Sequence, residues 1–387
     1  MNVRHRIHRA GRILPALLLA GLLAEPAFAG KLRVETDGVD SGSCGGKHDP
    51  CRTISRAILL ARDGDTILVG PGRYGDLDRD GTLGEPEEES GEGCYDCAVR
   101  VYKRLKILSR AGAAATVIDA GRELYYAVAV TADGAILGRK KRGFTLVAPG
   151  LISVLVEGDD VRVEGNLSTA SNHGFRSDGA RTLFRGNSVF GNGNGGFTAA
   201  LNATDTTFID NRAIGNGWNP GTTGSSGFAT VGGGARLTRN VAAANQAKGI
   251  SSLLGGDVIV KNVVAGNRRD QSENRAGIAV SFDGVTGPVL PSTITRNLIV
   301  GNDGPGLRFK DGASGTAAKN TIYGNDPGQN CGIRNAGGRV VDAAKSFWGD
   351  PDGPSGDPGD AVCVTDGTVI SQPVAARAGR VRLRAAR

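Results

Sequence analysis

Leu237-Thr-Arg-Asn240-Val-Ala-Ala-Ala-Asn245 is answered 22 residues later by Ile259-Val-Lys-Asn262-Val-Val-Ala-Gly-Asn267. In both, a short apolar burst runs into an Asn, and a second Asn follows five positions on. The pair recurs at Asn187/Asn192, Asn211/Asn216, Asn297/Asn302 and Asn320/Asn325, and Asn166 opens the series without a matching second Asn. Successive first members lie 21, 24, 29, 22, 35 and 23 residues apart. A period a little above twenty residues marks stacked units, each too small to bury its apolar face without its neighbours.

The pattern within a period predicts the unit. Phe184-Arg-Gly-Asn187 and Ile294-Thr-Arg-Asn297 repeat the apolar-strand-then-Asn order. Asn tolerates the left-handed backbone of an abrupt turn, and stacked Asn side chains can bond along an axis as amide ladders do. Beyond the second Asn comes Gly and an apolar residue, as in Gly196-Phe197, Gly227-Phe228, Gly249-Ile250, Gly277-Ile278 and Gly306-Leu307, opening another strand. Three short strands and three turns per coil, stacked at ~4.8 Å, give an all-β, single-stranded, right-handed parallel β-helix. The composition agrees, with 61 Gly and one Met in 387 residues. Hairpin dipeptides are not spaced to reverse strand direction, which disfavours a sandwich or propeller.

A solenoid needs a cover for its first apolar cross-section. Thr53-Ile-Ser-Arg-Ala-Ile-Leu-Leu-Ala-Arg62 has helical periodicity and precedes a turn-bounded strand within Gly64 to Tyr74, so it is expected to form an N-terminal capping helix. These segments, the Asn coils and the closing Phe347-Trp-Gly-Asp-Pro-Asp-Gly-Pro354 resemble the pectin-lyase-like superfamily. The resemblance implies the β-helix fold over most of the chain. Lyases, hydrolases, epimerases, tailspikes and non-catalytic surface proteins share that architecture, so it implies no single activity. Polygalacturonase-like enzymes carry paired Asp with Gly-His-Gly and Arg-Ile-Lys, whereas this chain has only Asn172-His-Gly174 and Arg104-Leu-Lys106, in the wrong order. The Asp-Pro-His-Asp string of mannuronan-epimerase-like proteins does not occur.

The two ends frame the chain. Arg4, Arg6, Arg9 and Arg12, the apolar run Ile13 to Ala24 and Pro26-Ala-Phe-Ala29 read as a secretory leader at 1–29, with Gly30 the first mature residue. Residues 30–125 are assigned to the cap helix and first coils, 126–348 to the coils, and 349–387 to a closing segment with an Arg-rich tail. The expectation is a secreted or periplasmic protein with no transmembrane segment after cleavage. The net charge of +7 falls to +4 without the leader's four Arg and Glu25, and the tail's five Arg leave the body near −1. That balance excludes the broad basic face of a nucleic-acid binder. Six Cys, Cys44, Cys51, Cys94, Cys97, Cys331 and Cys363, read as disulfides in an exported chain. Fifteen connectivities are open, nearest-neighbour pairing being the simplest, and Cys94-x-x-Cys97 has redox or metal binding as an alternative.

Strand alternation assigns outward positions after each Gly-apolar step: Arg176, Thr198, Ala229, Ser251, Ala279, Arg308 and Arg334. The middle of that row is small and uncharged. At one end His173, Arg176 and Asp178 cluster, either as an acid/base group or as a turn residue beside a surface ion pair. At the other, Arg308, Lys310 and Arg334 are joined by Arg268, Arg269 and Arg275, a patch suited to an acidic polysaccharide unless Asp270, Glu273 and Asp311 neutralise it. Were there lyase chemistry, Lys310 would be the base and Arg308 its partner at the substrate carboxylate. Trp218, in a glycine-rich loop, is a candidate sugar platform or a packing residue. Asp76-Leu-Asp78-Arg-Asp80-Gly81-Thr82-Leu-Gly-Glu-Pro-Glu87 matches the Asp-x-Asp-x-Asp-Gly-x5-Glu loop, predicting structural Ca2+ on Asp76, Asp78, Asp80, the Thr82 carbonyl and Glu87, or else an acidic solvated insertion. Two functions remain: a non-catalytic β-helix that binds a polysaccharide, and a lyase or C5-epimerase acting on a uronic-acid polymer.

Overall fold

A computed structural model describes residues 29–80, 82–91, 93–94, 96–122, 124–218, 226–268, 275–281, 289–354 and 360–379. The leader through residue 28, Gly81, Arg269, Asp270, Glu273 and the last eight residues lie outside the described residues.

Each coil gives one strand to each of three parallel faces. The first face runs from Cys97–Val101 through His173–Ser177, Phe197–Ala199, Ser226–Thr230, Lys248–Ser252 and Ala276–Val280 to Leu307–Lys310. The second starts at Lys31–Val34 and Thr66–Val69 and reaches Ser292–Thr295 and Gly315–Thr316. The third runs from Gly72–Gly75 to Thr321–Tyr323. The twelve-residue strand Cys331–Asp342 pairs with the first face and then the second, and Ala361–Ile370 pairs along it in turn.

The first Asn of each pair stands at the corner between second face and third, the second Asn at the corner between third face and first. Between them lies a three-residue strand such as Val241–Ala243 or Val263–Ala265, which is why the interval of five never varies. Variation in coil length falls elsewhere, in the segment 217–225 and on both sides of Ala276–Val280.

Both Asn series are buried hydrogen-bonded columns. Asn240 donates to Asn262 Oδ1 from its amide (2.8 Å) and from Nδ2 (3.1 Å), and Nδ2 also reaches Phe208 O (2.9 Å). The first column runs from Asn166 through Asn187, Asn211, Asn240, Asn262 and Asn297 to Asn320, ending on Ser346 Oγ. The second begins at Ser171, which explains why Asn166 lacks a matching Asn, and ends on Asp360. Thus the corner backbone, which would be orphaned in the dry interior, is satisfied coil to coil.

The left-handed residue is not the Asn. Among the described residues it is the one before: Asp210, Arg239, Lys261, Arg296 and Lys319 at the first corner, and Ala170, Gly191, Gly215, Ala244 and Gly266 at the second. The turn is made by that residue, and the Asn that follows supplies hydrogen bonds.

Inside, the strands stack like on like. Phe175, Phe197 and Phe228 from the first face meet Phe184 and Phe208 from the second, with centroids of Phe197 and Phe228 at 4.8 Å and of Phe184 and Phe208 at 5.3 Å. Parallel in-register pairing forces this, since equivalent side chains of successive coils must lie one above another.

A helix spans Ile54–Leu60 and packs on the strands Lys31–Val34, Thr66–Val69 and Cys97–Val101. Thr53 Oγ1 accepts from Arg56 N (3.0 Å), and Glu89 takes the Ile54 and Ser55 amides at 2.8 and 2.7 Å. At the other end Lys103 Nζ donates to the carbonyls of Ile58, Leu59 and Ala61. An acid at the N-terminus and a cation at the C-terminus complement the helix dipole. At the far end of the solenoid Trp348 is fully buried, against Gly332.

Disulfides join Cys44 to Cys51, Cys94 to Cys97 and Cys331 to Cys363, leaving no free thiol among the described residues. The Cys94/Cys97 pair is therefore held covalently. No described helix is long and apolar enough to cross a membrane.

Candidate functional site

The first face carries the row that alternation assigns. Arg176, Thr198, Ala229, Ser251, Ala279, Arg308 and Arg334 occupy equivalent positions of successive coils, with Phe175 through Ile333 turned to the core beside them. Its centre offers hydroxyl and methyl groups, and charge is confined to the ends.

At the cationic end Arg308 is in register with Arg334, and Lys310 with Ala336. The patch has its own acids. Arg334 Nη2 lies 3.2 Å from Asp326 Oδ2 and also donates to Gln329 Oε1, and Lys310 Nζ is 3.5 Å from Asp311 Oδ2. Burial raises the Asp326 carboxyl above its ordinary range, and the charges of Arg334 and Arg275 pull it partly back. Arg275 therefore stands close enough to the loop Asp326–Asn330 to be felt electrostatically. Of the cations assigned to this end, Lys310 pairs with Asp311, Arg334 and Arg275 face Asp326, and Arg308 lies in register with Arg334; Arg268 is exposed at the second corner, its amide bonded to Asn245 O at 2.7 Å. Asp326 was not visible as a participant from sequence, because its approach depends on how a loop folds back.

At the opposite end Arg176 makes a two-pronged pair with Asp178, Nε to Oδ1 at 2.7 Å and Nη2 to Oδ2 at 3.2 Å. His173 is engaged by Asn194 Nδ2 at 3.1 Å and by the Gly195 amide at 3.3 Å. Burial and the Arg176 charge lower the imidazole pKa, and the Gly195 amide points at Nδ1. That geometry is a turn residue beside a surface ion pair. Five coils, ~24 Å, separate it from Arg308, so the two ends do not form one small site.

Trp218 is 61% exposed at the second corner, anchored by its indole N–H to Gly191 O at 2.8 Å. An indole fixed at its polar edge presents a ring face to solvent, the arrangement a sugar platform uses.

The acidic loop departs from the spacing rule at its last member. Carboxylate oxygens of Asp76, Asp78 and Asp80 lie within 4.8 Å of one another, as do those of Asp78, Glu85 and Glu88. Glu87 instead turns to Arg52, with Oε2 to Nη2 at 3.7 Å; Pro86 and the left-handed Glu87 backbone (φ 77°) swing it away. Glu88 takes the inward place. It is 5% exposed, its Oε1 accepts the Leu77 amide at 2.6 Å, and its Oε2 is buried without a hydrogen-bond partner. Asp78 and Asp80 raise the Glu85 carboxyl pKa by repulsion. Thr82 keeps both its amide and its hydroxyl on Asp80 Oδ1, each at 2.7 Å. Crowded carboxylates with an orphaned buried oxygen fit a hard cation.

No protein-family model and no curated protein matches this sequence. Among solved structures the chain is similar to the A-module of mannuronan C-5 epimerase AlgE4 from Azotobacter vinelandii, with 16% identity, TM-score 0.55, and 83% of this chain and 91% of that one covered. It is also similar to pectate lyase Pel9A, at 16% identity and TM-score 0.49 over 91% and 81% of the two chains. A third is the Dettilon tailspike protein, at 14% identity and TM-score 0.48 over 87% and 68%. Likeness at such identities is one of fold, and by fold this chain is a right-handed parallel β-helix.

Proposed function

We propose that the protein is an exported β-helix that binds an acidic polysaccharide along its first face, at the end holding Arg275, Arg308, Lys310 and Arg334. The observation that carries this reading is the register of Arg308 with Arg334 on adjacent coils, with Lys310 beside them and Asp311 and Asp326 as their ion-pair partners among the described residues. Guanidinium groups recognise carboxylates by charge-assisted, two-pronged bonds. The neighbour of TM-score 0.55 acts on mannuronan, which supports a polysaccharide as ligand. Binding without turnover is favoured because Lys310 is in an ion pair and the outward row between Arg176 and Arg308 consists of Thr198, Ala229, Ser251 and Ala279. Export is supported by three disulfides, which persist outside the reducing cytoplasm.

Calorimetric titration with oligogalacturonate and oligomannuronate tests the reading. Arg275→Ala/Arg308→Ala should weaken binding about two- to thirty-fold, two ionic contacts being worth roughly 0.2–1 kcal/mol each. Unaltered affinity would remove the site, and growth of unsaturated-product absorbance would replace binding by lyase activity. The acidic loop we assign to structural Ca2+, held by Asp76, Asp78, Asp80 and Glu88 with Glu85 at its rim; an ion there would neutralise the crowded carboxylates and pin the insertion to the first coils.

A further inference from the structure

The corner between second and third faces holds the left-handed residue that precedes each member of the first column, the seven Asn and the closing Ser346. Over eight successive coils it is Gly165, Gly186, Asp210, Arg239, Lys261, Arg296, Lys319 and Lys345, all with φ between 55 and 70°. The equivalent place at the other corner is filled by Ala170, Gly191, Gly215, Ala244, Gly266, Gly301 and Gly324. A left-handed backbone disfavours any side chain and leaves Gly unstrained, so the second corner has the composition that conformation alone would select. The first corner does not. Its last five positions are all cations, and coil stacking puts them ~4.8 Å apart, where like charges repel.

These side chains point away from the protein. A Cβ built at Gly186, in the same corner, meets nothing within 4 Å. Arg239 is held by Asp210, at 2.7 and 2.9 Å, but Lys261, Arg296, Lys319 and Lys345 are exposed. The C-terminal segment then closes one side. Ala375 N bonds Ser346 O at 3.1 Å and Gly379 N bonds Thr321 Oγ1 at 2.9 Å, bringing Arg377 to the same corner. The result is a groove of about 310 Å³ lined by Lys261, Arg296, Lys319, Lys345 and Arg377, with no acid among the described residues that line it.

The charge repulsion among Lys261, Arg296, Lys319 and Lys345 is met by no acid among the described residues that line the groove, and uncompensated strain of that kind collects where a ligand is held. The geometry points to this corner as a second ligand site, one that takes a linear acidic glycan laid parallel to the solenoid axis. The coil repeat is close to the length of one pyranose in an extended chain, so successive uronates meet successive cations. Single-stranded nucleic acid is the poorer fit, since no aromatic ring is among the described residues that line the groove. The site shares its ligand class with the first face and no residue with it.

Titration with oligogalacturonate of five or six residues, in the Arg275→Ala/Arg308→Ala background, isolates the corner. There the groove should still bind, with affinity falling as salt rises. Adding Lys261→Gln, Arg296→Gln and Lys319→Gln, which removes the charges and leaves an unbranched polar side chain at each left-handed position, should lose a further ten-fold or more with the melting temperature unchanged. Lys319→Gly is the control for folding: it should keep or raise stability while still weakening the ligand. Binding unaffected by the three Gln substitutions would overturn the site. Equal affinity for a charge-matched oligodeoxynucleotide would overturn the glycan. Loss of binding in the Arg275→Ala/Arg308→Ala protein alone would assign the ligand to the first face and leave this corner without one.

Discussion

Asn262→Ala interrupts the first column at its centre, and its cost can be worked from the bonds on either side. Asn262 Oδ1 accepts the Asn240 amide at 2.8 Å and Asn240 Nδ2 at 3.1 Å; its own Nδ2 donates to Leu237 O at 2.9 Å and to Asn297 Oδ1 at 3.0 Å. Truncation leaves the Asn240 amide without an acceptor and the Leu237 carbonyl without this donor, both shielded from water. An unsatisfied buried group costs about 1–3 kcal/mol, so the loss should be roughly 2–6 kcal/mol. Asn262→Asp sharpens the test. The carboxylate keeps the acceptor facing Asn240 but sets an anion against Asn297 Oδ1 and Leu237 O, so it should be destabilising at neutral pH and partly recover in acid, where a protonated carboxyl can donate. The second column already uses Asp where no onward donor is needed: Asp360 accepts Asn325 Nδ2 at 2.8 Å as its last member. Urea unfolding gives the global cost, and amide exchange at Asn240 reads the local one, because a solenoid can open near a broken coil. A loss below 1 kcal/mol for Ala, with Asn240 exchange unaltered, would refute the reasoning.

Calcium titration should give heat with the wild type, lose it in Asp78→Ala/Asp80→Ala and in Glu88→Gln, and keep it in Glu87→Ala; equal heats throughout would remove the ion. Burial raises Glu89 from its ordinary 4.5 to about 7. The folded state then holds a proton that the unfolded chain releases, so this group's contribution is full below about pH 4.5 and is lost as pH rises through about 7. Glu89→Gln should flatten denaturation midpoints over that window, and an unchanged slope would count against it. Phe197→Ala should cost about 3–5 kcal/mol in urea melts, since the ring is fully buried among four others and its loss leaves a cavity.

The coil was legible because it repeats a residue type at a place where few alternatives work: only Asn offers both a donor and an acceptor at the reach each corner needs. The left-handed residue beside it was misassigned to the Asn, since that place accepts Gly, Ala, Asp, Arg or Lys and so leaves no uniform letter. Strand alternation gave the outward direction of Arg308 and Arg334 correctly, being a property of the pleat. It could not give Asp326, which a loop delivers. Spacing found the acidic loop but placed Glu87 inward, because the rule derives from loops that exit into a helix, and here Pro86 turns the chain. The pairing of six Cys among fifteen possibilities was open in the sequence, and the closeness of each pair in space resolves it.

Because each Asn bonds only to its counterpart one coil on, the columns specify adjacency and carry no record of how many coils there are. Excising Val241 through Asn262 would join Asn240 to Val263, the same junction the intact chain makes between Asn240 and Val241. Gene duplication or deletion in units of a coil is therefore a change of length that each remaining interface can tolerate. A family built this way can vary its span along a polymer without redesigning a single contact, while a shift of one residue within a coil breaks both columns at once.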